Sequence, residues 1–141
     1  MPGFWDASAI VPLCASVENS GPIRRLLREH APVVWWGTSV ETVSALGRRR
    51  REGILSSQQH AAAIGRLALL RKAWREIQPT NRLLDLAEAC LDRHELRAAD
   101  ALQLAAALIW CSEKPKNRAF LCRDIRLQGA ARREGFRIIE L

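Results

Sequence analysis

Several signatures are missing from this chain of 141 residues, and each absence narrows its chemistry. It has no GxSxG, no GxGxxG and no GxxxxGK[ST], which leaves out the usual acyl-transfer elbow, dinucleotide loop and phosphate-cradling loop. Its histidines, His30, His60 and His94, are not spaced to serve as metal ligands or as the base of a nucleophile. The four cysteines, Cys14, Cys90, Cys111 and Cys122, have neither zinc-site spacing nor the density of a small secreted scaffold, so they read as buried thiols in a reducing compartment. The N-terminus, MPGFWDASAIVPL, lacks a basic region followed by a long apolar run, and a signal peptide is not expected. The most apolar stretch, 98–111, is broken by Asp100 and Gln103 and is too short to span a bilayer. No linker, repeat or low-complexity tract divides the chain, so one cytoplasmic domain is the expectation.

What is present is basic charge. Lys and Arg number 22 against 15 Asp and Glu, a net +7, and arginine supplies nearly all of the excess. Such a balance favours an anionic partner without choosing among nucleic acid, membrane surface and acidic protein. Four arginines in a row occupy 48–51, Arg66, Arg71, Lys72 and Arg75 form a second flank, and Arg132 with Arg133 a third. Cations at a helix C-terminus complement its dipole, so each run serves either the helix or an anionic partner.

The apolar pattern alternates short strands with helices. Strands are expected at 4–5, 32–36, 119–122 and 136–139, with a brief one at 76–79. Helices are expected at 8–16, from Gly21 and Pro22 through Leu27, and at 38–51 with Val40, Val43 and Leu46 on the inner face. Others follow from Ser56 or Ser57 to about Trp74, and at 82–92, 98–111 and 125–134, the last closed by Gly135. This order gives an α/β domain with a mostly parallel sheet covered on both faces. Trp5, Trp35 and Trp36 are expected in the core, whereas Trp74 and Trp110 could face a partner.

Against this basic background, Asp6, Glu41, Asp100 and Asp124 each stand at the edge of an apolar segment. Asp6 and Asp124 follow strands and therefore sit at the carboxyl edge of a parallel sheet, where ligands bind. Glu41 lies one turn into the helix after the second strand, and Asp100 opens the buried helix that feeds the strand before Asp124. Each also has a local explanation. Asp6 and Asp124 would cap helices, Thr38-x-x-Glu41 matches a capping box, and Asp100 suits the positive end of its helix. Taken jointly, crowded carboxylates raise one another's pKa unless a cation neutralises them. Oxygen ligands suit Mg²⁺ or Mn²⁺ better than zinc, and a metal so held would favour phosphodiester hydrolysis.

The segments WDASAIVPL, TSVETVSAL, HELRAADALQLAAAL and FLCRDIRLQGAARREGF resemble the successive blocks of a PIN domain, most closely those of the VapC toxins of bacterial toxin–antitoxin pairs. The resemblance spans nearly the whole chain. It implies a three-layer α/β/α sandwich and a ribonuclease using Mg²⁺ or Mn²⁺, with Asp6, Glu41, Asp100 and Asp124 as its acids and Ser8 supporting Asp6. It also implies a homodimer held inactive by a small antitoxin. The family commonly has His where Gln103 stands, a position outside the acid set. Arg123, beside Asp124, is the basic residue expected to touch substrate or to pair with a neighbouring acid. An RNA-binding module whose acids only cap helices, an inactive scaffold and a DNA nuclease are the competing readings.

Overall fold

The computed structural model describes residues 1–15 and 20–141. Five strands, β1 (Pro2–Trp5), β2 (Ala31–Trp35), β3 (Arg75–Ile77), β4 (Ala119–Cys122) and β5 (Arg137–Glu140), form one sheet in the order β3-β2-β1-β4-β5. Every pairing is parallel. Seven helices connect and flank them: α1 (Ala7–Ala15), α2 (Ser20–Glu29), α3 (Thr38–Arg51), α4 (Ser57–Ala73), α5 (Asn81–Arg93), α6 (Ala98–Trp110) and α7 (Ile125–Glu134). The predicted helix end at Ser16 lies outside the described residues.

Alternation along the strands builds two cores. Phe4, Val33, Trp35, Phe120 and Cys122 face α5, α6 and α7, where Leu83, Leu104 and Leu127 are fully buried. Trp5, Val34, Ala119 and Leu121 face α1, α3 and α4, packing on Ile10, Leu46 and Leu67. A strand buried on both faces needs a continuous apolar run, which is why PVVW and AFLC carry no polar residue. The result is a three-layer α/β/α sandwich with a parallel central sheet, as expected. β1 passes so close to its neighbours that a Cβ at Gly3 would come within 2.9 Å of Leu121 Cδ1 and 3.0 Å of His30 Cβ.

Helix ends follow local chemistry. Ser56 caps α4 in a complete capping box, its hydroxyl accepting from Gln59 N while the Gln59 side chain accepts from Ser56 N. Gly135 closes α7 at φ 113°, a left-handed conformation suited to glycine.

Two packing expectations are corrected. On α3, Leu46 is buried but Val40 is 74% exposed and Val43 is also exposed, because the buried stripe runs through Thr38, Ser39, Thr42 and Leu46. Thr38 meets a side chain of α6 described below, and the Thr42 hydroxyl donates to Thr38 O at 2.8 Å within the helix. Trp36 lies beyond the end of β2 and is 53% exposed, stacked edge-on against Trp35, so only Trp35 of that pair enters the core. Trp74 and Trp110 are both buried.

Candidate active site

The strand order reverses between β1 and β4: β2 and β3 lie to one side, β5 to the other. At such a switch point, connections leave the carboxyl ends of adjacent strands in opposite directions and open a crevice. Asp6 is the first residue after β1, and its backbone N–H still donates to Leu121 O of β4 at 3.2 Å. Asp124 follows β4, Glu41 is in the first turn of α3 and Asp100 in the first turn of α6. The mutual effects on their ionisation show how they are grouped. Glu41 feels the charges of Asp6 and Asp100, and Asp100 feels that of Asp124.

Asp6 is 4% exposed, and burial pushes its pKa up to about 6 against the pull of its hydrogen bonds. Ser8 Oγ donates to Asp6 Oδ1 at 2.7 Å, and Ala9 N–H donates to the same oxygen at 3.1 Å. Asp6 therefore does cap α1, and the Ser8 backbone amide and the Cys122 thiol also bond to its carboxylate. Ser8 also accepts from Arg123 N–H at 2.8 Å, so its hydroxyl joins the carboxyl end of β4 to the first acid.

Burial likewise raises Glu41, to about 7; Gln103 opposes the rise and the charges of Asp6 and Asp100 add to it. Gln103 is 1% exposed on α6, one turn beyond Asp100. Its Nε2 donates to Thr38 Oγ1 at 3.0 Å and to Glu41 Oε1 at 3.3 Å, tying α6 to α3. Its Oε1 is buried with no hydrogen-bond partner. The expected Thr38–Glu41 capping box does not form. Gly37 is the N-cap of α3 without a side-chain cap bond, and the Thr38 hydroxyl is engaged by Gln103 instead. Helix capping thus leaves Glu41 unexplained.

Asp100 is raised by burial and by Asp124, with Arg97 and Arg126 acting in the opposite direction. Asp124 is the N-cap of α7, its Oδ1 accepting from Leu127 N–H at 2.9 Å. The capping explanation holds for Asp124. Asp100 and Asp124 line a cleft of about 380 Å³ together with Arg97, Ala99 and Arg126.

A common pattern emerges. The carboxylates of Asp6, Glu41 and Asp124 are each held by protein donors. The donors are neutral: a hydroxyl, a thiol, backbone amides and a carboxamide. Among the described residues no three His, Cys, Asp or Glu side chains stand together as a ready metal-holding group. Such an open arrangement still fits Mg²⁺, which keeps several waters and binds through one or two carboxylates plus substrate phosphates rather than in an all-protein cage. The donor set is hard oxygen, which suits Mg²⁺ and Mn²⁺.

No family model matches the chain, and no curated protein matches it. Solved structures do. A chain of a toxin–antitoxin complex from Klebsiella pneumoniae superposes with a TM-score of 0.61 at 12% identity, covering 86% of this chain and 86% of that one. The crystal structure of PAE2754 from Pyrobaculum aerophilum gives 0.68 at 18% identity, covering 98% of this chain and 89% of its own. The fold is PIN-like. At these identities the likeness is one of fold, and its distance explains why sequence comparison alone finds nothing. No helix of the described residues is long and apolar enough to cross a membrane.

Gln103 and Thr38 are the site residues that sequence reasoning passed over. The available signal was a lone polar residue one helical turn beyond Asp100 in an otherwise apolar run.

Proposed function

We propose that this protein is a divalent-metal-dependent endoribonuclease and the toxin of a toxin–antitoxin pair. The observation that carries the reading is where four carboxylates fall around the β1/β4 switch point, Asp6 after β1, Asp124 after β4, and Glu41 and Asp100 in the first turns of α3 and α6, with Asp6 and Glu41 raised to about 6 and 7 by burial and no basic side chain bonded to any of the four among the described residues. Burial and neighbouring acids oppose their ionisation, and a bound cation would favour it. Asp6 and Asp100 would hold Mg²⁺ or Mn²⁺, with Glu41 beside them and Asp124 at the outer rim. A metal there supplies an activated water and charge stabilisation for a reacting phosphodiester. The chain's own part is positional. Ser8 and the α1 amide fix the Asp6 carboxylate, Gln103 fixes Glu41, and the α7 amide fixes Asp124. Carboxylates held in this way would meet a metal ion or its waters without reorganising. The basic surface, net +7, would gather the RNA strand.

The reading predicts that purified protein cuts RNA with Mg²⁺ or Mn²⁺ and not in chelator, and that Asp6→Asn and Asp100→Asn stay folded and lose the activity. Undiminished cleavage by both variants would sink it. The likeness to a chain of a toxin–antitoxin complex supports an antitoxin as natural inhibitor, and the resemblance to VapC toxins supports a homodimer. Light scattering and inhibition assays test these points.

One observation favours a second reading. Asp6 and Asp124 both cap helices, as the acids of a non-catalytic RNA-binding module would. Such a module would bind RNA equally with and without divalent metal and cleave nothing. The alignment of Glu41 by Gln103, outside any cap, weighs against it.

A further inference from the structure

Most arginines near helix ends in this protein sit where the backbone dipole welcomes them. Residues 48–51 end α3, Arg71 lies in the last turn of α4, Arg93 in that of α5, and Arg132 and Arg133 in that of α7. Three stand at the opposite, disfavoured end: Arg82 in the first turn of α5, Arg97 at the N-cap of α6 and Arg126 in the first turn of α7. Arg82 has a local reason, since its guanidinium donates to both oxygens of Glu113 at 2.7 Å. Arg97 and Arg126 have none. Among the described residues neither guanidinium lies within 4.0 Å of a carboxylate, although both are near enough to Asp100 to act on its ionisation.

Both arginines are exposed, and both line the cleft that holds Asp100 and Asp124. Ala99, the remaining lining residue, offers only a methyl group. Two α-helix N-termini, those of α6 and α7, border the same cleft. Two unpaired guanidinium groups beside helix N-termini form an anion-binding arrangement, and the adjacent carboxylates would repel any anion not held by such groups. A carboxylate-bearing partner would meet the repulsion of Asp100 and Asp124 without a metal to bridge it. A phosphodiester strand, by contrast, would place one phosphate at the acids through the metal and the next between the arginines.

We infer that Arg97 and Arg126 form a phosphate subsite that grips the RNA strand next to the phosphate being cleaved. The inference rests on the ribonuclease reading for the identity of the strand, and on the arginine geometry for the subsite itself.

The test measures binding of a short fluorescent single-stranded RNA, with Mg²⁺ and across a range of salt concentrations, on an Asp6→Asn background. In that background Arg97→Ala/Arg126→Ala is compared with Lys114→Ala/Lys116→Ala, which removes equal charge in the turn after the far end of α6. Matching thermal melts establish that each variant is folded. The arginine pair is expected to lose about tenfold in affinity, from a charge-assisted contact. The slope of log affinity against log salt should shrink by about 0.7, the value for one phosphate on a single strand. Arg97→Lys/Arg126→Lys should keep most of that slope, and the lysine control should keep slope and affinity. Wild-type-like binding by the arginine variant, or equal losses in both double variants, would overturn the subsite. Cleavage by the otherwise wild-type chain, assayed in parallel, separates the two claims. If it cuts nothing while the arginine effect persists, the ribonuclease reading fails and the phosphate subsite stands. If it cuts RNA and the arginine effect is missing, the reverse holds.

Discussion

Two half-buried glutamates of this protein are held in opposite ways. Glu134, at the end of α7, is desolvated, yet its pKa falls below the ordinary glutamate value because Arg93 and His94 bond to it. His94 Nε2 lies 2.6 Å from Glu134 Oε2, and Arg93 donates to the two oxygens at 2.9 and 3.1 Å. Glu41, across the molecule, is raised to about 7 by burial and by two neighbouring acids, and its side-chain partner is a neutral carboxamide. The fold closes one carboxylate with a guanidinium and an imidazole and leaves the other facing like charges. The first arrangement is complete as it stands. The second would be completed by a cation from outside, and on that contrast the metal-site reading rests.

The two regions should respond differently to mutation and to pH. The largest effect is on activity: Asp100→Asn should lower RNA cleavage by about a thousandfold or more, roughly 4 kcal/mol in the barrier. Glu134→Gln should leave cleavage by the remaining folded protein intact. A comparable loss from both would erase the contrast. Next comes Gln103→Leu, which removes the alignment of Glu41 without touching a ligand. It should weaken Mn²⁺ binding by about ten- to a hundredfold in calorimetry, as loss of an outer-shell partner does. Glu134→Ala should cost about 2 kcal/mol in urea unfolding, less than a deeply buried pair because Arg93 is half exposed.

The smallest effect has the opposite sign. A carboxylate with a raised folded pKa favours the native state where it is protonated, and that contribution is lost as pH rises through the folded value. For Asp6 and Glu41 the loss runs from about pH 4 to 7, given folded values near 6 and 7. Metal-free protein should therefore melt lower at pH 8 than at pH 5, and Mn²⁺ should restore much of the difference. Asp6→Asn, which can still accept from Ser8 and Ala9, should stabilise the metal-free protein at pH 8 by about 1–2 kcal/mol. Glu134 works the other way: its lowered pKa stabilises above the unfolded value of 4.5 and fails as pH falls below it. At pH 8 the variants should depart from the wild type in opposite directions, Asp6→Asn melting higher and Glu134→Ala lower, and both differences should shrink in acid.

Strand and helix order was legible because buried parallel strands leave apolar runs that local punctuation separates. The bounds of β4 and α7 and the capping of α4 follow from their residues almost alone. The inward face of α3 was not legible. An apolar count favoured Val40 and Val43, but Thr38 is buried and met by Gln103 from α6, a contact more than sixty positions away, and buried Thr42 satisfies its hydroxyl on Thr38 O. For the same reason a capping box that fits Thr38 and Glu41 locally loses to a tertiary hydrogen bond. The acids were legible as edge residues of a sheet, while their individual roles were not. Asp6 caps a helix and also stands at the crevice, and no local sequence pattern separates those two roles.

The account is tested most directly by anomalous diffraction from crystals grown with Mn²⁺ near pH 8. It predicts a peak at the β1/β4 switch point, about 2.2 Å from a carboxylate oxygen of Asp6 and one of Asp100. An empty crevice in crystals holding millimolar Mn²⁺, or Mn²⁺ bound only elsewhere, would contradict it.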